Sequence, residues 1–237
     1  MRKKILIIIS SLFLAVSTYT VSNAASLNVG VTGSLATIDA SGSETDSADS
    51  GSEASVRNAN VENPNVPIGS VFVEFESDFY GLTLGAEHVP ASADVSDSIK
   101  RRTDLELSVT GTDTTTSNNR DFKANAEVEN FNKVYLELPI MDMFFVRAGM
   151  AEIDVNTTEV ASGNGGSYGN VSLDGLQLGV GMKGTLRDNV VWKTSYEQND
   201  FSDLRLVSTG NASESGTNTI EADLDTWALK LSLGYQF

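Results

Sequence analysis

His88 is the only imidazole in the chain. With Ser92 and Asp94 it offers the residue types of a His–Ser–acid lipase or a His–Asp protease. Such chemistry needs a proton carrier within hydrogen-bond reach of its partners. The spacing does not supply that reach. His88 shares the alternation of Leu82, Leu84 and Ala86, and Pro90 intervenes before Ser92 and Asp94. There is no Cys, which excludes a thiolate nucleophile, a disulfide framework, a Cys zinc site and a lipoprotein anchor. No zinc, calcium-loop or phosphate-loop spacing stands out. Gly163-Asn164-Gly165-Gly166 reads as loop flexibility, and the Asn-x-Ser/Thr triplets at Asn156, Asn170 and Asn211 are expected by chance in so Ser/Thr-rich a chain. The expectation is no catalytic residue, no cofactor and no metal.

A second set of residues does a different chemistry. Glu74, Glu76, Glu87, Glu137 and Glu197 alternate with apolar neighbours, and so do Lys133, Arg147, Lys183, Lys193 and Lys230. The two signs balance in this set, whereas the whole chain of 237 residues carries 32 acidic against 16 basic groups and a net charge of −16. Buried charges are tolerated when they pair. A balanced set on one side of a sheet is what a closed charged interior needs. The overall acidity excludes nucleic acid as a partner, because phosphate binding needs a basic face.

The elements that carry these charges have period two. From Trp227 to Phe237 every second residue is apolar: Trp227, Leu229, Leu231, Leu233, Tyr235, Phe237. A strand crosses a bilayer in about 9–11 residues, longer than the usual globular strand. The same alternation recurs around Val29, Val73, Leu84, Leu136, Val146, Val180 and Trp192, giving eight candidate strands. Short connections at about 77–79, 139–142 and 187–189 alternate with long polar ones at about 37–67, 90–121, 156–172 and 201–221. Short periplasmic turns and long outside loops are the connectivity of an outer-membrane barrel. The fold expected is all-β: an antiparallel up-and-down transmembrane β-barrel of eight strands, both termini periplasmic. Ten strands is the alternative, because residues 105–109 and 122–138 also alternate. The long loops are expected to hold little fixed structure.

Aromatic residues share the apolar alternation near the strand ends. Phe75, Tyr80, Phe144, Trp192 and Tyr235 fall beside short turns or the C-terminus, and Tyr196 and Trp227 fall at the opposite ends. Two girdles are expected where an apolar band meets water. Residues 1–24 begin with Arg2, Lys3 and Lys4, continue with a short apolar run and end in Ser22-Asn23-Ala24. They read as a cleaved secretory signal peptide, too short to span. Cleavage falls after Ala24, with Ala25 as the alternative, and residues 25–237 form the barrel.

The terminal Leu233-Gly234-Tyr235-Gln236-Phe237 resembles the signal read by the outer-membrane barrel assembly machinery, which points to Tyr235 and Phe237. Residues 176–199, with Gly179-Val180-Gly181-Met182-Lys183-Gly184 and Asp188-Asn189-Val190-Val191-Trp192-Lys193, resemble paired strands of the small OmpA-like and opacity-protein-like outer-membrane barrels. The stretch from Tyr135-Leu136-Glu137-Leu138-Pro139 through Arg147-Ala148-Gly149 is similar. The chain ends at Phe237 without the peptidoglycan-binding domain of full OmpA-like proteins, so a cell-wall tether is not expected. The resemblance implies a monomer in the bacterial outer membrane, exported through the periplasm, with membrane lipid and lipopolysaccharide as surroundings. The leading expectation is a non-enzymatic protein presenting acidic surface loops to an unknown ligand. A narrow porin-like channel and an opacity-type adhesin are the alternatives.

Overall fold

The structure is a computed structural model that describes residues 25–46, 55–78, 80–96, 100–109, 115–161, 167–209 and 217–237. The signal segment read over 1–24 lies outside the described residues. Eleven strands follow in chain order: β1 (Ala25–Asp46), β2 (Ser55–Ser77), β3 (Thr83–Val89), β4 (Ala93–Asp94), β5 (Lys100–Val109), β6 (Thr115–Pro139), β7 (Phe144–Ala161), β8 (Val171–Arg187), β9 (Val190–Phe201), β10 (Leu204–Val207) and β11 (Asn218–Gln236).

Eight of them close a ring in the order β1-β2-β3-β6-β7-β8-β9-β11, sealed by β11 pairing back onto β1. All pairings are antiparallel, and β4, β5 and β10 attach outside the ring path. The ten-strand alternative therefore does not describe the wall. Residues 100–109 form a strand that, among the described residues, pairs with the far end of β6 alone.

Closure pairs each ring strand on two sides, β2 over residues 71–76 on its β3 side, and the apolar side chains face outward. Leu229 and Leu231 are each 60% exposed, Leu176 is 66% and Leu178 is 64%. A band this apolar needs hydrocarbon around it, and a closed barrel is the one sheet form that satisfies its backbone there. This is a transmembrane β-barrel. The narrow connections are Asp188-Asn189 between β8 and β9, residues 140–143 between β6 and β7, and 78–82 between β2 and β3. The last is closed by Ser77 N–H donating to Leu82 O at 2.8 Å, with Tyr80 and Gly81 at φ 56° and 66°.

The opposite end departs from the sequence reading. Strand structure runs deep into the segments expected as loosely structured loops. β1 and β2 stay in register from Ser41↔Asn60 to Asp46↔Ser55, β7 continues to Ala161, and β11 begins at Asn218. The reason is a reversal of polarity along the same strands. On β7 the outward series Phe144, Val146, Ala148, Met150 becomes Glu152 and Asp154, which are covered by polar neighbours, Asp154 accepting from Asn130 and Ser172, while the inward series Phe145, Arg147, Gly149 becomes Ala151, Ile153 and Val155. On β11 outward Leu229 and Trp227 give way to Asp225 and Asp223, and inward Lys230 gives way to Leu224. Below the switch the strand is built for lipid. Above it the strand is built like a soluble protein, apolar inside and polar outside.

Two bulges shift the phase as well. One lies opposite Ala36 and Ile38 on β2, where Asn65 has φ 59°; the other spans Glu129 to Asn132 on β6, where Asn130 has φ 53°. Asn is among the residues that tolerate this left-handed region.

Candidate functional site: a charged interior beneath an apolar cap

Four carboxylates and four cations meet inside the barrel. Glu74, Glu87, Glu137 and Glu197 are at most 3% exposed; Lys133, Arg147, Lys193 and Lys230 are at most 5%. They come from β2, β3, β6, β7, β9 and β11, so every contact is made across the lumen or across a strand pair. Lys193 Nζ donates to both oxygens of Glu74 at 2.6 Å and to Glu137 Oε2 at 2.7 Å. Arg147 Nε donates to Glu137 Oε1 at 3.0 Å, and the guanidinium also pairs with Glu197. Lys133 Nζ lies 3.2 Å from both Glu87 Oε2 and Glu197 Oε2. Lys230 pairs with Glu87 and lies 3.1 Å from Glu197 Oε2.

The cluster is neutral in sum, and its remaining lone pairs are taken up by neutral donors. Tyr135 donates its hydroxyl to Glu74 at 2.9 Å, Gln177 its amide to Glu197 at 2.7 Å, and Ser70 its hydroxyl to Glu87 at 2.5 Å. The Arg147 guanidinium lies 3.9 Å from the centre of the Tyr135 ring, a cation–π contact. Gln177, Ser70 and Tyr135 were not named among the charges, but they share their inward alternation, which is the signal that finds them.

Glu76 and Lys183 are not part of this cluster. They pair with each other at 3.0 Å nearer the narrow-turn end and are partly exposed. Phe72, Tyr135 and Phe145 fill the lumen among and beside the charges, each at most 5% exposed, with Tyr135 between Lys133 and Glu137 on β6. Their rings occupy space that side chains across the wall give up: a Cβ on Gly85 would overlap the Tyr135 ring, and one on Gly181 the Phe145 ring.

Above the charges a polar step precedes the cap. Asn199, beyond Glu197 on β9, donates to Thr226 at 3.0 Å. Then comes an apolar core of Ile38, Ala151, Ile153, Leu173, Phe201 and Leu224 with their neighbours. Phe131 meets Phe201 edge to face at 5.9 Å. Alternation in the sequence does not reveal this core. Its residues lie beyond the aromatic girdle, in stretches whose polar outward partners dominate the composition.

The aromatics named for girdles sit on the outer wall. Tyr196 and Trp227 pack edge to face at 6.4 Å just below the switch to carboxylates. Phe75, Tyr80, Phe144 and Tyr235 are exposed near the narrow turns, and Trp192 is half-buried there. Tyr235 and Phe237 meet edge to face at 4.9 Å, and Phe237 N–H donates to Leu27 O at 2.8 Å, so Phe237 lies on the seam where the barrel closes. His88 bonds Asn132 Oδ1 through Nδ1 at 2.8 Å. No group of three His, Asp or Glu able to hold a metal is found among the described residues.

No family model matches the chain, and no curated protein does. Solved barrels do. OmpT, the outer membrane protease from Escherichia coli, aligns over 93% of this chain and 100% of its own at 8% identity and TM-score 0.47. OprG, an outer membrane protein from Pseudomonas aeruginosa, aligns over 90% and 96% at 14% identity and TM-score 0.41. Ail, the attachment invasion locus protein of Yersinia pestis, aligns over 92% and 100% at 13% identity and TM-score 0.36.

Proposed function

We propose that the chain is an integral outer-membrane protein without enzymatic activity, whose plugged barrel anchors a stiff acidic β-structure outside the cell. The observation that carries this reading is the filled lumen: a neutral eight-charge cluster interleaved with three aromatic rings, and then an apolar core. An eight-stranded barrel has room inside only for side chains, and here they fill it. That speaks against a channel, since an ion would have to break paired charges and then cross an apolar layer. Against an enzyme, His88 has Asn132 as its bonded partner, not an acid or a hydroxyl.

The same proposal covers orientation, export and assembly. The short-turn end, with both termini, faces the periplasm, and residues 1–24 direct export. Tyr235 and Phe237 on the closing seam are what the assembly machinery reads. The monomer is surrounded by outer-membrane lipid and lipopolysaccharide. Reconstitution in planar bilayers tests the reading. It expects no stepwise conductance from protein that runs faster on gels unboiled than boiled. Steady ohmic steps from such heat-modifiable protein would overturn the plug in favour of a narrow pore.

A further inference from the structure

The ladder between β2 and β3 stops at Val71↔His88. Among the described residues, β2 from 55 to 69 has a laddered strand neighbour, β1, on one side only; on the other the Asn63 amide donates to Asp94 O of β4 at 2.8 Å, which bounds the open stretch at Glu62. Residues 56–60 are exposed on both faces. This is an edge strand, a row of backbone donors and acceptors that a further strand can satisfy. Its usable length is bounded, because Pro64 and Pro67 break the donor row and the Asn65 bulge bends it.

The outer face beside this edge is mostly acidic: Arg205 is paired with Glu221 at 3.0 Å, and Arg57 of the edge itself lies by Glu44 on the opposite face. Register places Glu62 of β2 opposite Asp39 of β1, Asp39 opposite Asp225 of β11, and Asp225 opposite Asp200 of β9. Four carboxylates thus run in one row across four strands, at about 4.8 Å from strand to strand. Asp39, Glu62, Asp223 and Asp225, with Ser41 and Asn60, line a shallow concavity of about 520 Å³ on that face.

We propose that β2 over residues 56–62 accepts an extended basic peptide by strand addition, with alternate Lys or Arg side chains of the peptide lying toward Glu62 and Asp39. Two features select this occupant. A strand hydrogen-bonded to β2 puts every second side chain on the outer face, next to Glu62 and Asn60 and within a long side chain's reach of Asp39. A second copy of this chain would bring its own acidic face to the same place, and like charges side by side on a sheet are unfavourable. The proposal rests on the reading above that this end lies outside the membrane.

The test uses the full barrel in zwitterionic nanodiscs. The probe is the labelled peptide Lys-Thr-Lys-Val-Lys-Thr-Lys. Controls are the same peptide with alternate backbone N-methyl groups, which keeps the charge and removes strand pairing, and the peptide with Glu for Lys. The basic peptide is expected to bind and to slow amide exchange over 56–62, the N-methylated one at least tenfold more weakly and the acidic one not at all. The E62Q/D39N double variant is expected to lose about fivefold in affinity, the scale of one or two exposed charge pairs. Equal binding of the N-methylated peptide, slowed exchange elsewhere, no binding at all, or edge-to-edge dimers of the protein would each overturn the proposal. Heat-modifiable mobility measured on the same samples reports the barrel itself, so its loss marks failure of the membrane reading instead.

Discussion

Asp39 and Asp225 face each other across the β1–β11 pair, and both point outward just above Trp227. Burial and the neighbouring Asp200, Asp39 and Asp223 push the Asp225 carboxyl above its usual range. Asp223 is pushed up by its hydrogen bond to Asp203 and by that carboxylate's charge. A raised value means that the folded sheet binds protons more readily than the unfolded chain. Stability therefore falls as pH rises from the ordinary carboxylate value through the raised one, and is flat above it. Amide protection factors over 39–45 and 219–225, taken relative to the intrinsic exchange rate at each pH, should be higher at pH 4 than at pH 7. In D225N that difference should shrink, with slower exchange at pH 7.

The eight-charge cluster makes a different prediction. Arg147 pairs with Glu137 and Glu197, and its removal leaves carboxylates that Lys193, Lys133 and Lys230 already share. Breaking a buried pair from one side costs about 3–5 kcal/mol. R147M should lower the urea midpoint of the lipid-embedded barrel accordingly. E76Q, at the separate and partly exposed pair with Lys183, should cost well under about 1 kcal/mol.

The position of the membrane can be read by moving one charge along β11. Leu231 is an outward residue in mid-band, and Asp223 is an outward residue above the switch. Arg at a lipid-facing midplane position costs about 2–4 kcal/mol. L231R should therefore destabilise the barrel by that amount, whereas D223R should be neutral or stabilising, since it relieves an acidic face. Equal effects at the two sites would place both in the same solvent and contradict the polarity switch.

Much of the wall was legible from alternation alone. Leu229 and Lys230 are neighbours in sequence and lie on opposite sides of one strand, which period two reports without any tertiary information. The closed eight-strand ring followed from the loop-length rhythm. What alternation does not report is partnership. Lys193 reaches Glu74 and Glu137 from a strand that pairs with neither β2 nor β6, a choice set by how the strands stagger around the ring. The extension above the membrane was hidden for another reason. Bulges at Asn65 and at 129–132 change which alternate residues face inward, so Tyr135 and Val128 are both inside although their numbers differ in parity. A loop-like composition around Ile153 and Leu224 concealed strands whose apolar residues had changed sides.

That upper core should be separable from the membrane part. Phe201 packs inside the cap against Phe131, with Gly175 beneath its ring. Truncating a buried Phe to Ala costs about 3–5 kcal/mol, part of it the cavity left behind. The loss in F201A falls on strands that extend past the bilayer, where water can enter the loosened core. The charged cluster and the lipid band lie below and keep their contacts. F201A should therefore show faster amide exchange over 151–155, 171–174 and 220–225 and easier proteolysis of the outer segments. Its unboiled gel mobility should stay that of a closed barrel. If the unboiled band disappears with the cap, the two storeys fold as one unit and the lipid-embedded ring depends on the structure above it.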